Sequence, residues 1–277
     1  MFVSIKNLNY KFSGSNNNVL NNINLSINSP ERILLAGPNG AGKSTLLRLL
    51  GGKHMTFDNE YFSILEKATV QHGFNGLAYV GDNWTKAVNF VGYTPYIIDI
   101  EVRNFMKKEQ ENNLERRNLL CDILKINLDW NMSQLSDGQR RRIQIMLGLL
   151  KPFKLLLLDE ITAELDIIVR TNLMKFLRKE SEEKGATIIY ATHILDGLED
   201  WVTGIVYLNH KGYTQGLDMV QNKEYSLKEL IVTNMQNDYD IMEKENIKEQ
   251  EANKRKNHEI YGPQGGYSSG RLSNLKC

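Results

Sequence analysis

Apolar and polar positions alternate through residues 2–10 (FVSIKNLNY) and 19–27 (VLNNINLSI), a period of two that predicts two strands around the polar loop SGSNNN. ERILLAG, 31–37, is a short apolar run that leads into a glycine-rich loop and reads as a buried strand. From Ser44 the period changes to a helical one, STLLRLLGG, closed by glycines. Residues 53–100 carry no clear period, and 104–124 place apolar residues at helical spacing on a charged background. A loop to Ser136, a helix over 137–150, a breaker at Pro152, a strand over 154–160, a helix over 165–184 and a strand over 186–193 follow. This alternation predicts an α/β fold with a mostly parallel sheet covered by helices. Beyond Leu217 the chain turns charged and Asn-rich, with a solvated helix expected over 241–260 and a flexible tail over 261–277.

Composition narrows the function classes. Thirty-four Lys and Arg face 33 Asp and Glu, a net charge of +1, so no global basic field draws the chain to nucleic acid or anionic membrane. Cys121 and Cys277 are two thiols far apart, which fits a reducing compartment and argues against a disulfide framework or a zinc site. MFVSIKNLNYKF lacks a basic region followed by an apolar core, so no secretory signal is expected. The apolar run from Ile143 to Leu158 is interrupted by Lys151, Pro152 and Lys154, which argues against a membrane span. No internal repeat is visible, so one nucleotide module is expected.

Gly37-Pro38-Asn39-Gly40-Ala41-Gly42-Lys43-Ser44 follows a predicted strand and opens a predicted helix, the context that a P-loop requires. Glycines let backbone N–H groups approach phosphates, the helix N-terminus favours negative charge, Lys43 would reach the terminal phosphates and Ser44 would ligate Mg²⁺. Thr45 is expected to assist at the α-phosphate. The strand Leu155–Leu158 ends in Asp159-Glu160. Asp159 would orient the metal shell, and Glu160 is placed to take a proton from water attacking the γ-phosphate. Leu135-Ser136-Asp137-Gly138-Gln139 is the distinguishing stretch. A capped helix start accounts for Ser136 and Asp137 but leaves Gly138-Gln139 without a reason.

With GPNGAGKST before it and LLLLDE after it, LSDGQ resembles the signature motif of ABC (ATP-binding cassette) ATPases. The resemblance implies an ABC nucleotide-binding domain over 1–217, with an antiparallel β subdomain and a helical signature subdomain at about 100–150; 218–277 would be a charged extension and tail. It also implies that Asp166 ends a D-loop, that His193 is the switch histidine contacting the γ-phosphate, and that Phe12, or alternatively Tyr10, stacks on adenine. Ser136, Gly138 and Gln139 would cap the γ-phosphate bound by a second copy, making a head-to-tail homodimer switched by ATP. GGKHM (51–55), 135–162 and 185–201 are similar to the eukaryotic ABC-I group, which has plant cytosolic members and a fungal factor of the carbon-catabolite-repression NOT complex.

Two positions depart from the family. Where ABC proteins carry a Mg²⁺-binding glutamine, LAYVGDNW offers Asp82 or Asn83, and Asp137 stands where glycine is commoner. The expected protein is a soluble Mg²⁺-dependent ATPase with a regulatory partner complex, cytoplasmic or also nuclear. The ATPase subunit of a transporter and a scaffold with negligible turnover are the alternatives.

Overall fold

The computed structural model describes residues 2–54, 62–64, 67–68, 76–81, 99–217 and 226–260. The predicted strands fall into two sheets. β1 (Val3–Tyr10), β2 (Leu20–Ile27), β4 (Phe62–Ile64) and β5 (Lys67–Ala68) form an antiparallel sheet in the order β2-β1-β4-β5. The second sheet contains β3 (Arg32–Ala36), β6 (Leu77–Val80), β7 (Leu155–Asp159), β8 (Thr187–Ala191), β9 (Gly204–Leu208) and β10 (Thr214–Leu217). Its order is β10-β9-β3-β8-β7-β6, parallel throughout except for the β9/β10 pair.

Strand parity divides the core, because successive side chains on a strand point to opposite faces. Leu35, Leu155, Leu157 and Ile189 pack toward the antiparallel sheet and the helix α1 (Lys43–Leu50), meeting Val3, Ile23, Leu46 and Leu50. Leu34, Leu156, Leu158 and Ile188 pack on the opposite face against α4 (Asp137–Leu149) and α5 (Ile167–Lys184). Strands buried on both faces lose the alternation of half-buried ones, which explains the continuous run LLLL. Truncating one of these fully buried leucines to Ala costs about 2–5 kcal/mol. Gly148 brings α4 onto the sheet, since a Cβ there would lie 2.5 Å from Val80 Cγ2.

The helical stretch predicted over 104–124 is broken. A 3₁₀ turn (Val102–Asn104) is followed by α2 (Lys107–Asn112) and α3 (Leu114–Leu124). Met106 is left-handed at φ 52°, and the buried side chain of Gln110 folds back to donate to Val102 O and Phe105 O at 2.8 and 2.5 Å. Those carbonyls are thereby satisfied outside a continuous helix, which periodicity does not reveal.

The chain divides into two compact units, residues 1–235 and 236–277. The first takes in the opening turns of α6 (Leu227–Ile260), where Leu227 and Ile231 join the core. The described part of the second is the continuation of that helix to Ile260, across the predicted segment 241–260. The predicted tail over 261–277 lies outside the described residues. Among the described residues no helix is long and apolar enough to cross a membrane.

Candidate functional site

β3, β7 and β8 run parallel and end at one edge of the sheet, where Ala36, Asp159 and Ala191 emerge together. The carboxyl edge of a parallel sheet is where α/β folds place their ligands. A cavity of about 530 Å³ opens there, lined by Phe12 and Val19, by Asn39, Gly40 and Gly42 through Thr45, and by Asp159, Glu160 and His193. The P-loop is shaped by its glycines. Gly37 has φ 147° and a Cβ there would meet Leu208 O at 2.1 Å, while Gly42 has φ 100° and abuts Leu20 and Val19. Gly42 caps α1 without a side-chain hydrogen bond, so the first-turn N–H groups are left for an anion.

Lys43 is buried and curls back, its Nζ donating to Gly37 O at 2.8 Å and Pro38 O at 2.9 Å. Burial lowers its pKa, opposed by Glu160 and Asp159, so a further anion would recover charge stabilisation lost on burial. Ser44 Oγ donates to Asp159 Oδ1 at 3.1 Å, and Tyr79 Oη lies 3.5 Å from Asp159 Oδ2. A hydroxyl beside a carboxylate is a hard oxygen set that suits Mg²⁺, which is held by one or two protein oxygens together with substrate phosphates. Among the described residues no cluster of three or more His, Cys, Asp or Glu could hold a metal by itself. The Mg²⁺ candidates Asp82 and Asn83 lie outside the described residues.

Glu160 has a left-handed backbone at φ 50°, and its N–H donates to Ala191 O at 2.9 Å. Its Oε2 accepts from the His193 backbone N–H at 3.4 Å, and its buried Oε1 lies 3.4 Å from His193 Nε2 without hydrogen-bond alignment. Burial raises the Glu160 pKa, partly opposed by the His193 N–H and Lys43. That places a carboxylate of raised proton affinity on the cavity wall, the property that a general base requires.

Phe12, 40% exposed, lines the cavity, while Tyr10 stands behind it with ring centroids 5.4 Å apart in an edge contact. His54 completes this aromatic group, 5.7 Å from Phe12 and 6.1 Å from Tyr10. Of the two aromatic candidates, Phe12 is therefore the one facing the cavity.

Ser136, Gly138 and Gln139 are not among the residues that line the cavity. They start α4, where Ser136 Oγ accepts from Gln139 N at 3.3 Å and Gln139 Oε1 accepts from Ser136 N at 2.9 Å. This capping box corrects the sequence argument: the cap accounts for Gln139 as well as for Ser136. Asp166 caps α5, its Oδ1 accepting from Val169 N at 2.9 Å while Oδ2 meets Arg142 at 2.8 Å. Three consecutive arginines, 140–142, have the composition of a solvated helix start, but the middle one is not solvated. Arg141 is buried against Gly81, Asp159 and Glu160. The sequence carries one partial signal, that Arg141 shares a helix face with the apolar Ile145 and Leu149, but the carbonyls it meets are brought to it by the fold. Tyr79 left no comparable sequence signal.

The family model described as ABC transporter matches residues 20–163, which carry the P-loop, LSDGQ and the Asp159-Glu160 pair. ABC transporter I family member 20 of Arabidopsis thaliana is 46% identical over 219 residues, 78% of this chain and 67% of that protein. The chain belongs to the ABC transporter family. CCR4-associated factor 16 of Saccharomyces cerevisiae is another similar member, 37% identical over 240 residues that make up 81% of each chain. Two solved ABC structures show the same fold. The ATP binding subunit of an ABC transporter has a TM-score of 0.68 at 23% identity, with 84% of this chain and 99% of that one covered. A dimeric post-hydrolysis cassette bound to ADP and Pi has a TM-score of 0.62 at 22% identity, with 78% and 99% covered.

Proposed function

We propose that this ABC protein binds ATP with Mg²⁺ in the cavity and hydrolyses it as one half of a head-to-tail homodimer. One division of parts carries the reading: the cavity collects Phe12, the P-loop, Asp159, Glu160 and His193, while the signature residues stand outside it at the head of α4. A second copy is the natural source of what the cavity lacks. Phe12 stacks on adenine, and the N–H groups of residues 39–45 hold the phosphates, with Thr45 at the α-phosphate. Lys43 exchanges its two loop carbonyls for the terminal phosphates. Ser44 and Asp159 hold Mg²⁺, which when bound neutralises charge on the β- and γ-phosphate oxygens. Glu160 accepts a proton from water as its oxygen bonds to the γ-phosphorus; the bond to the β–γ bridging oxygen breaks and ADP leaves. His193 orients the γ-phosphate side of the cavity. Asp166 braces α5 beside the partner, and Ser136, Gly138 and Gln139 close over that partner's ATP.

The cellular role we propose is regulatory, linked to transcription or mRNA turnover in the cytoplasm or nucleus. The likeness to CCR4-associated factor 16 supports it. A motor subunit serving a separate membrane chain is the second reading, favoured by the match to the family model described as ABC transporter. The full chain carrying Glu160→Gln tests both levels. Phosphate release should fall by about a hundredfold or more, with ATP-dependent dimerisation retained in sedimentation. Unchanged turnover would overturn the assignment of Glu160. The same tagged variant, recovered from its own cells, should bring down factors of mRNA regulation; stoichiometric recovery of a polytopic membrane protein would establish the motor reading instead.

A further inference from the structure

Glu160 is the one cavity residue held in a left-handed backbone without being glycine, at φ 50°. A side chain in that region costs about 1–2 kcal/mol, so it persists only where neighbours hold it. Its N–H is held by Ala191 O at 2.9 Å. Its carbonyl faces Arg141, whose Nη2 lies 3.3 Å from Glu160 O and 3.5 Å from Asp159 O. The other arm of the same guanidinium donates to Gly81 O at 2.5 Å and to Gln144 Oε1 at 2.7 Å. Gln144 Nε2 reaches Gly81 O at 3.4 Å, so two residues one helical turn apart on α4 grip the end of β6. Arg141 is 5% exposed, which makes this fork dry and rigid.

We propose that Arg141 is a positioning residue for Glu160, tying the helix headed by Ser136 to the peptide that aims the general base. The guanidinium spans the ends of β6 and β7, so its two arms fix the Glu160 carbonyl relative to Gly81. With the carbonyl released, Glu160 relaxes toward negative φ and its carboxylate swings away from His193. Arg141 stands two residues beyond Gln139, the last of the signature, so a shift of α4 when Ser136 meets the partner's nucleotide is felt at Glu160. ATP seated on one copy thus sets the base of the other. A lysine offers one point charge where two strand ends must be bridged, and can replace the fork only in part.

This inference rests on Glu160 acting as the base, and the experiment separates the two. Arg141→Gln, Arg141→Lys and Glu160→Gln are made in the full chain. The readouts are kcat and KM for phosphate release, equilibrium binding of trinitrophenyl-ATP without Mg²⁺, and amide exchange in the nucleotide-free protein. For Arg141→Gln, kcat should fall about tenfold or more, with KM and analogue binding within about twofold. Amides of residues 160–162 should exchange faster while those of β3 and α5 stay protected, and Arg141→Lys should recover part of the rate. Wild-type kcat in both Arg141 variants, with Glu160→Gln inactive, would sink the inference alone. So would a loss of protection spread over the whole sheet, which marks a merely structural residue. Wild-type turnover in Glu160→Gln would remove the base assignment and this inference with it. If Arg141→Gln does not fold, Gln144→Met weakens the same fork and should lower kcat in the same direction; an unchanged kcat there overturns the proposal.

Discussion

His193 Nε2 lies 3.4 Å from Glu160 Oε1, and the backbone N–H of His193 points at Oε2 of the same carboxylate. Burial, assisted by Lys43, lowers the His193 pKa, so at neutral pH the ring is uncharged and the pair is a polar contact, not an ion pair. A neutral hydrogen-bonding group should therefore substitute for it in part. We expect His193→Ala to lower kcat by about a hundredfold, and His193→Gln to restore a measurable fraction without restoring charge. Equal loss in both variants, measured by phosphate release, would mean that the imidazolium is required.

The raised pKa of Glu160 has two consequences with defined signs. As a base it works only when ionised, so the acid limb of kcat/KM, which reports the free enzyme, should lie higher than an unperturbed glutamate would place it and vanish in Glu160→Gln. In stability, the folded state holds this proton more tightly than the unfolded one. The resulting stabilisation is present below the unfolded pKa and is lost as pH rises through the folded pKa. Glu160→Gln should therefore melt higher than wild type at pH 8, with the gap closing as the solution is acidified. Parallel melting curves across that range would contradict it.

Two P-loop glycines separate packing from backbone freedom. Gly37→Ala forces a Cβ to 2.1 Å from Leu208 O, whereas Gly40→Ala meets open space at φ 82°. Gly37→Ala should cost roughly 3 kcal/mol or more, and Gly40→Ala about 1 kcal/mol from backbone strain alone. Urea unfolding of the two variants checks the ratio, and equal costs would refute the assignment of Gly37 to close approach.

Away from the cavity, Arg116 grips the buried carboxylate of Glu180 with two bonds of 3.0 and 2.8 Å, and its guanidinium lies over Phe153 and Phe176. Arg116→Ala leaves the buried Glu180 with Lys184, whose Nζ lies 2.6 Å from Oε1, as its remaining cation, so the cost should be about 2–3 kcal/mol, below that of a wholly unpaired buried charge, while the double change Arg116→Met/Glu180→Leu should recover most of it. Denaturant midpoints measure this; a double variant as weak as the single one would show that packing, not charge, sets the cost.

Local rules carry far in this chain. A strand running into GPNGAGKST, a second strand ending in Asp159-Glu160 and LSDGQ between them set the α/β class, the family and the phosphate cradle. Each is written within a few consecutive residues: glycine supplies φ values closed to other residues, and apolar runs match strand or helix periods. Three features were settled by contacts that periodicity does not show. Gln110 broke an expected helix because carbonyls at 102 and 105 found its amide. Phe12, not Tyr10, came to face the cavity because of how the antiparallel sheet lies against the P-loop. Arg141, one of three consecutive arginines, was drawn inward because buried strand-end carbonyls need donors that only a neighbouring helix can bring. Composition and spacing determine which groups the chain carries. Which of them meet across the sheet edge is decided by packing, since desolvated polar atoms must find partners wherever the fold places them.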